Sequence, residues 1–337
     1  MDVDRTDVEE TGGDETELGL GSVEELMGGI RATALGPGPL GHETFTTTSP
    51  EWWPGGRTFG GMVVAQALHA ATLTVPDTLP LHSLHAYFLR PSLPGVPSVH
   101  TVEHVRDGRS FSTRAVVTEA QGKEVFRMMC SFHQDEEGEE YQLPLAAGVA
   151  PPEEIPKVEG LFPFDVREVG ASERRADGSF ESTRRCWVKS RQPLSADSSM
   201  HACLLAYLSD MTGASFRPLS MTEWGTHTDA SLDHALWFHR PARVDEWHLF
   251  DFQAVANAGG RATVRATMHS EAGELRMSMA QELLIRRLEV PMVFDVPEWA
   301  TRVAERSGDP DDRHASSHGN GNGNGSGHGS GPNLGER

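Results

Sequence analysis

The chain contains two long stretches that repeat one another, and this internal repeat restricts the possible folds more than any other feature. An offset of 150 residues pairs Arg90-Pro91 with Arg240-Pro241, and an offset of 151 pairs Gly122 with Gly273. A repeat unit of this length is a whole subdomain rather than the short unit of a solenoid. The sequence therefore predicts a pseudo-dimer, in which one chain contains two similar units.

The two halves differ in polarity at two of the paired positions. With the same offsets, Leu81 corresponds to Ser231 and Cys130 corresponds to Gln281. A hydroxyl and an amide can hold a water molecule, whereas leucine cannot and a neutral thiol does so poorly. We therefore expect the first half to be a catalytically silent scaffold and the second half to carry the chemistry.

Composition divides the chain into folded and unfolded parts. The chain has 337 residues and a hydrophobic content of 37%, and its two ends are the least apolar parts. Acidic or Gly/Asn/Ser/His-rich segments cannot bury enough apolar surface to fold. We assign an acidic disordered tail to residues 1–20 and an acidic, proline-containing linker to 135–162. The N-terminal repeat, the C-terminal repeat with the active site, and a C-terminal segment with a disordered tail are residues 21–134, 163–292 and 293–337.

Charge and cysteine usage narrow the class of protein. The formal net charge of −20 is concentrated in the N-terminal tail and the linker, which disfavours nucleic-acid binding but leaves an anionic small-molecule ligand open. The sequence has no apolar stretch of membrane-spanning length and no signal-peptide pattern. Its three cysteines, Cys130, Cys186 and Cys203, form no C-x-x-C pair. Such spacing is typical of a reduced compartment, and we expect a cytoplasmic protein.

Two apolar segments predict buried helices. Residues 62–74 are apolar nearly all round, and residues 199–211 occupy the corresponding place in the second half. A helix without a polar face is a buried helix. Ser22 and Glu25 have the spacing of a capping box, which predicts a further short helix.

Runs of β-favouring residues between turn signals predict strands in both halves. They are at 44–48, 81–89, 98–106, 112–119, 125–133, 164–169, 182–190, 230–239, 247–256, 263–269 and 275–285. One long buried helix against a run of antiparallel strands, formed twice, indicates an α+β architecture. We expect the two sheets to join edge to edge, because each half alone would leave an open edge strand.

Several motifs follow one another in a fixed order. The first half carries F-G-G-x-V-x-x-Q-A-L, H-x-Y-F-L-R-P and R-D-G-R-S-F at residues 59–68, 85–91 and 106–111. The second half carries D-H-A-L-W-F-H-R-P and A-Q-E at residues 233–241 and 280–282. Over about residues 20–290 the chain thus resembles the type II acyl-CoA thioesterases. This resemblance implies a double hot-dog fold, in which each sheet wraps a central helix. It also implies a cofactor-independent hydrolase with an acyl-CoA substrate, and homo-oligomeric assembly is common in that family.

The resemblance carries three catalytic residues onto this chain, namely Asp210, Ser231 and Gln281. The family mechanism uses these groups to bind and activate a water that attacks the thioester carbonyl. A carboxylate in a poorly hydrated pocket can accept the water's proton, while a hydroxyl and an amide orient it without adding charge. On the sequence pattern alone, each residue also has a structural interpretation: a solvated carboxylate at a helix end, a strand hydroxyl, and an amide that satisfies backbone groups.

Other candidate sites have weaker support. Four strand histidines suggest a metal, but alternate strand positions point to opposite faces and no Cys or carboxylate cluster completes a site. We therefore expect structural roles for His82, His85, His234 and His239, and neither a metal nor a cofactor. Gly60-Gly61 could cradle a phosphate or a carbonyl oxygen, or could merely allow close packing of the helix. The sequence also lacks the G-x-S-x-G elbow of serine esterases.

Two rival functions stay open. A hot-dog hydratase or dehydratase acting on enoyl-CoA would use an Asp/His motif, D-x-N-P-x-H, that is missing from the sequence. An acyl-CoA-binding module would have lost its chemistry, which the presence of all three polar residues disfavours. The acyl chain length also stays open, since bulky residues such as Phe88, Trp237 and Phe238 could shorten a tunnel, but strand alternation alone does not tell which of them faces inward.

Overall fold

The structure is a computed structural model that describes residues 22–50, 56–158, 163–169, 183–212 and 227–287. The two predicted tails, and the last residues of the predicted linker, lie outside the described residues. The described α-helices are α1 (Val23–Ile30), α2 (Gly60–Thr72) and α3 (Ser198–Ser209). Among the helices of these ranges, none has the length and apolar character needed to cross a membrane.

Within the described residues, thirteen strands form one antiparallel sheet. The strands are β1 (Thr33–Pro37), β2 (Glu43–Thr48), β3 (Leu81–Phe88), β4 (Pro97–Asp107), β5 (Phe111–Ala120), β6 (Lys123–His133), β7 (Phe164–Val169), β8 (Thr183–Ser190), β9 (His227–Ser231), β10 (Asp233–Phe238), β11 (His248–Ala258), β12 (Arg261–Ser270) and β13 (Leu275–Arg287). Their order is β1-β2-β4-β5-β6-β3-β10-β13-β12-β11-β8-β7, and β9 pairs with β13 beside this path. Outwards from the β3–β10 pair, equivalent strands of the two repeats follow in the same order. The halves are therefore joined edge to edge, as the sequence predicted.

The strand register confirms that the repeat pairs equivalent positions. Arg114 lies opposite Cys130 in β5–β6, and Val264 lies opposite Gln281 in β12–β13. Because Arg114 and Val264 are also 150 residues apart, Cys130 and Gln281 occupy the same place in the two half-sheets. The same relation holds for Leu81 and Ser231, which lie opposite Phe132 and Leu283.

Two equivalent hairpins explain the paired glycines of the repeat. Gly122 lies in the turn between β5 and β6 with a φ of 70°, and Gly273 lies in the turn between β12 and β13 with a φ of 84°. Glycine adopts this left-handed conformation at little cost, because it has no Cβ. Both turns therefore require a residue with positive φ before the next strand, which selects glycine in both halves, although the first turn has two residues and the second has four.

The helices α2 and α3 pack antiparallel to each other inside the sheet. A Cβ on Gly61, in the first turn of α2, would lie 2.3 Å from the carbonyl oxygen of Tyr207 in the last turn of α3. At the other end, His69 in the last turn of α2 interacts electrostatically with Asp197, the N-cap of α3. Both helices contribute completely buried side chains to one continuous core. This α+β arrangement is the predicted double hot-dog.

The boundaries of some elements differ from the prediction. The strand predicted over 230–239 is divided into β9 and β10, because Leu232 leaves the regular ladder. Its amide donates to the Glu282 carbonyl oxygen at 2.9 Å, and its carbonyl oxygen accepts from the Phe88 amide at 2.9 Å. The sequence analysis missed β1, whose residues are all exposed and show no alternation in burial. The helix α1 begins at the predicted capping box, with both hydrogen bonds between Ser22 and Glu25 present.

Candidate active site

Three polar side chains from three different elements meet at the end of α3. Asp210 follows the last residue of α3 directly, Ser231 is the last residue of β9, and Gln281 lies within β13 with its side chain toward the helices. The Ser231 hydroxyl donates to Asp210 Oδ1 at 3.0 Å. The Gln281 amide donates to the same oxygen and also to Ser231 Oγ, the latter at 3.0 Å. The structure therefore brings all three sequence-predicted residues together.

The environment of Asp210 disfavours a charged carboxylate. Asp210 and Gln281 are 3% and 1% exposed, and Ser231 is half-buried. Burial raises the pKa of Asp210 to about 6, although hydrogen bonds from Gln281, Ser231 and the Gly61 amide act in the opposite direction. A solvated surface carboxylate is thereby excluded for Asp210, and the group is poised to exchange a proton near neutral pH.

Gly60 and Gly61 allow the start of α2 to approach this carboxylate. A Cβ on Gly60 would lie 2.5 Å from Asp210 Oδ2 and 3.1 Å from Phe88 Cε1. Since real Cβ atoms essentially never come this close to another heavy atom, any larger residue would displace the carboxylate. The Gly61 amide donates to Asp210. The close packing that the glycine pair was expected to allow is therefore present. The Gly61 amide, which was the alternative ligand-binding group, donates to Asp210 instead.

The four strand histidines occupy separate environments. His234 is buried, and its Nε2 lies 2.7 Å from Ser209 Oγ; burial lowers the pKa of His234 to about 3. His239 Nε2 lies 2.9 Å from Ser278 Oγ, and the His85 ring contacts Trp237 edge-on. The fourth, His82, lies edge-on to the rings of Phe111 and His133. Across the described ranges, no group of three or more His, Cys, Asp and Glu side chains could hold a metal ion.

Sequence reasoning missed two residues beside the site. Ser209 immediately precedes Asp210, and its bond to His234 links α3 to β10. Strand alternation could have placed His234 inside, because it shares a face of β10 with the completely buried Leu236. Tyr207, three residues before Asp210, is also completely buried, and its hydroxyl has no hydrogen-bond partner among the described residues. No local pattern marks the bond between Ser209 and His234, since it joins elements that are distant in sequence.

The equivalent place in the first half contains a different set of groups. Cys130 Sγ donates weakly to the Arg114 carbonyl oxygen at 3.8 Å, and burial raises the pKa of this thiol to about 12. The Arg114 side chain is buried and donates to Thr74 Oγ1 at 2.8 Å and to the Thr74 carbonyl oxygen at 2.9 Å. It also pairs with Asp107 at 2.8 Å. A neutral thiol therefore stands where the second half has the Gln281 amide, and the residue opposite this thiol is an already paired cation where the second half has Val264.

The chemistry of the Asp210 site is that of proton transfer to or from a small polar molecule. The carboxylate can accept a proton, and the hydroxyl and amide can orient a water without adding charge. Neither Ser231 nor Asp210 contacts a histidine in the described hydrogen bonds, so the site differs from a Ser-His-Asp triad.

Both halves of the chain are similar to known acyl-CoA thioesterases. The family model described as the acyl-CoA thioesterase N-terminal domain matches residues 49–133, and the one described as the acyl-CoA thioesterase C-terminal domain matches residues 131–285. Human acyl-coenzyme A thioesterase 8 is 31% identical over 293 residues, which cover 78% of this chain and 90% of that protein. Acyl-CoA thioesterase 2 of Haemophilus influenzae is 32% identical over 253 residues, which cover 68% of this chain and 88% of that protein.

Solved structures agree with these matches. The crystal structure of an acyl-CoA thioesterase II from Mycobacterium marinum has a TM-score of 0.67 and 33% sequence identity, covering 80% of this chain and 99% of that one. A hot-dog protein from Alicyclobacillus acidocaldarius has a TM-score of 0.64 at 18% identity, covers 78% of this chain and 98% of its own, and shares the fold.

Proposed function

This chain belongs to the type II acyl-CoA thioesterase family and is a hydrolase of acyl-CoA thioesters, and we propose that Asp210, Ser231 and Gln281 activate the water for its reaction. The observation that carries this proposal is the convergence of the Ser231 hydroxyl and the Gln281 amide on one buried oxygen of Asp210. The proposed substrates are fatty acyl-CoA thioesters, and the products are a free fatty acid and CoA.

In the proposed reaction, Asp210 acts as the general base. Its carboxylate accepts a proton from a water held by Ser231 and Gln281, and the water oxygen attacks the thioester carbonyl carbon. The carbonyl π electrons move to oxygen and form a tetrahedral oxyanion. When the oxyanion collapses, the carbon–sulfur bond breaks and the CoA sulfur leaves with the bonding pair. The proton on Asp210 then passes to that sulfur, which restores the carboxylate.

The environment of Asp210 supports this assignment. A general base works best when its pKa lies near the operating pH, because it is then both ionised and basic. Burial raises the pKa of Asp210 to about 6, so the group is largely ionised at neutral pH and more basic than an exposed aspartate. Its hydrogen-bond donors are neutral, so they lower this pKa less than a cationic partner would, and the effect of burial prevails.

This base predicts the pH dependence of turnover. We expect kcat to rise with pH and to level off above an apparent pKa near 6, because only the ionised Asp210 can accept the proton. The measurement is CoA thiol release, followed with a thiol reagent for a panel of acyl-CoA chain lengths between pH 4.5 and 8. A kcat that is constant across this range would contradict the assignment of Asp210 as the base.

The same assay separates the two rival functions. A hydratase or dehydratase would convert enoyl-CoA without releasing thiol, and a binding module would release none from any acyl-CoA. The matched control is Asp210→Asn, which retains the size of the side chain but cannot accept the proton; we expect it to lose about 100-fold or more in kcat. Thiol release that is equally fast in Asp210→Asn would remove Asp210 from the mechanism.

A further inference from the structure

A buried hydrogen bond joins α3, whose C-cap is the proposed base, to β10, which begins two residues after the Ser231 hydroxyl. Ser209, the last residue of α3, is completely buried, and His234, near the start of β10, is 1% exposed. The distance from Ser209 Oγ to His234 Nε2 is 2.7 Å. Ser209 immediately precedes Asp210, and His234 follows Ser231 by three residues. The pair therefore spans the gap across which Asp210 and Ser231 meet.

The hydrogen bonds of Ser209 define the donor and acceptor of this pair. The Ser209 hydroxyl donates its single proton to the Ala206 carbonyl oxygen at 2.8 Å. His234 must then carry its proton on Nε2 and donate it to Ser209 Oγ. The other ring nitrogen, His234 Nδ1, is a buried acceptor without a hydrogen-bond partner among the described residues. A second proton there would leave a buried charge unpaired, and burial accordingly lowers the pKa of His234 to about 3.

The end of α3 needs an anchor of this kind. Asp210 is the C-cap of the helix, with a φ of −81° and a ψ of 0°, so its position depends on the last helical turn. The α-helical hydrogen bonding of α3 ends at Ser209, and the chain continues as a single 3-10 turn over Asp210–Thr212. In contrast, β10 lies at the centre of the sheet, paired with β3 on one side and β13 on the other. A hydrogen bond to β10 therefore fixes the end of α3 to a strand that is paired on both sides.

We propose that Ser209 and His234 are positioning residues, whose hydrogen bond holds Asp210 within reach of Ser231 and Gln281. The inference rests on the proposed function, because it assigns the pair a role in water activation by Asp210. A displacement of about 1 Å in a catalytic group can reduce turnover 100-fold while the fold persists. The pair remains neutral while Asp210 titrates, so it holds the carboxylate in place without adding a charge that would lower its basicity.

Substituting His234 by a longer and by a shorter amide tests whether the hydrogen bond from position 234 to Ser209 is needed. Gln places its Nε2 near the position of the imidazole Nε2 and can still donate to Ser209, whereas the shorter Asn cannot. We expect His234→Gln to retain kcat within about 3-fold and His234→Asn to lose about 10-fold or more, with KM changed by less than about 2-fold in both. Ser209→Ala should match His234→Asn. The double variant Ser209→Ala/His234→Asn should be no slower than either single variant, because one interaction is lost in all three.

A second readout follows the carboxylate itself. Asp210 faces the Ser231 hydroxyl, the Gln281 amide, the Gly61 amide and, on its own helix, Tyr207. Loosening the end of α3 admits water, so the pKa of Asp210 should fall from about 6 toward its ordinary value in Ser209→Ala. The titration is followed by carbon NMR of the carboxyl group, assigned with Asp210→Asn, and thermal melts confirm that each variant is folded at the assay temperature.

The outcomes separate this inference from the proposed function. If Asp210→Asn turns over as fast as the wild type, the proposed site is wrong, and the NMR titration alone tests the pair. If turnover depends on Asp210 but Ser209→Ala and His234→Asn keep the wild-type kcat and the wild-type Asp210 titration, the pair is merely structural and the inference is overturned. Loss of kcat in His234→Asn with retention in His234→Gln, at equal melting temperature, would support it.

Discussion

At the scale of single residues, Asp210 has opposite effects on turnover and on folding stability. Burial raises the pKa of Asp210 from 3.8 to about 6, so the folded state binds the proton more tightly than the unfolded chain does. Above pH 6 the ionised carboxylate therefore lowers the free energy of unfolding, and this penalty decreases as the pH falls and disappears below about pH 3, where both states are protonated. The residue proposed to perform the chemistry thus destabilises the folded state at the pH values at which it is ionised.

The first prediction follows from this linkage. Relative to the wild type, the free energy of unfolding of Asp210→Asn should increase between pH 4 and pH 8 by on the order of 3 kcal/mol, because asparagine cannot ionise. Turnover should be lost in the same variant. Denaturant unfolding at the two pH values measures the change, and a stability difference that is independent of pH would show that the Asp210 carboxyl is not raised in pKa.

The second prediction concerns the Ser231 hydroxyl. It donates to Asp210 and accepts from Gln281, so a side chain with a hydroxyl at the same place should preserve both bonds. Ser231→Thr should therefore keep substantial activity, whereas Ser231→Ala removes one hydrogen bond from Asp210 and one from Gln281 and should lose about 10-fold or more in kcat. The measurement is the kcat of the two variants under steady-state conditions. Equal damage from both would indicate that Ser231 acts through packing.

At the scale of elements, the first two residues of α2, Gly60 and Gly61, contact different parts of the molecule: the first affects activity and the second affects stability. A Cβ on Gly60 would meet the Asp210 carboxylate at 2.5 Å, whereas a Cβ on Gly61 would meet the backbone oxygen of Tyr207 at 2.3 Å. A carboxylate at the end of a side chain can move aside, but the backbone of a packed helix cannot. The two glycines therefore constrain different properties of the protein.

The third prediction is a contrast between these two glycines. Gly60→Ala should fold but lose about 10-fold or more in kcat, because the displaced Asp210 leaves its productive position. Gly61→Ala should mainly lower the melting temperature, because α2 and α3 can no longer pack closely. The control is Gly28→Ala in α1, where a Cβ meets nothing within 4 Å and should harm neither property. Gly60→Ala with wild-type kcat would contradict the close approach at Asp210.

Elements with a strong local signal could be predicted from the sequence. The capping box at Ser22 was sufficient to predict α1, and an apolar segment was sufficient to predict α2, because both signals come from residues close together in the chain. The break between β9 and β10 was not predictable, because Leu232 bonds to Glu282 and Phe88, which lie far away in sequence. For the same reason, the site residues came from the family resemblance, and the Ser209–His234 bond became visible only once α3 and β10 were placed together.

At the scale of the whole molecule, a symmetric sheet carries an asymmetric set of side chains. The register places Cys130 and Gln281 at equivalent positions, yet the groups around them differ. Arg114, opposite Cys130, turns its guanidinium to the end of α2 and binds Thr74, while Val264, opposite Gln281, has no such group. In the first half, Arg114 fastens the end of α2, and in the second half, Gln281 on the neighbouring strand holds the Asp210 carboxylate.

The last prediction tests this asymmetry. Because the first half has Leu81 and Cys130 where the second half has Ser231 and Gln281, each chain should have one productive site. Gln281→Ala should then abolish nearly all of the activity, whereas Cys130→Ala, its register equivalent, should leave kcat unchanged. Calorimetric titration with a non-hydrolysable acyl-CoA analogue should give about one site per chain. Two binding sites together with half of the activity in Gln281→Ala would show that the first half is catalytic as well, and that the side chains of Leu81 and Cys130 do not silence it.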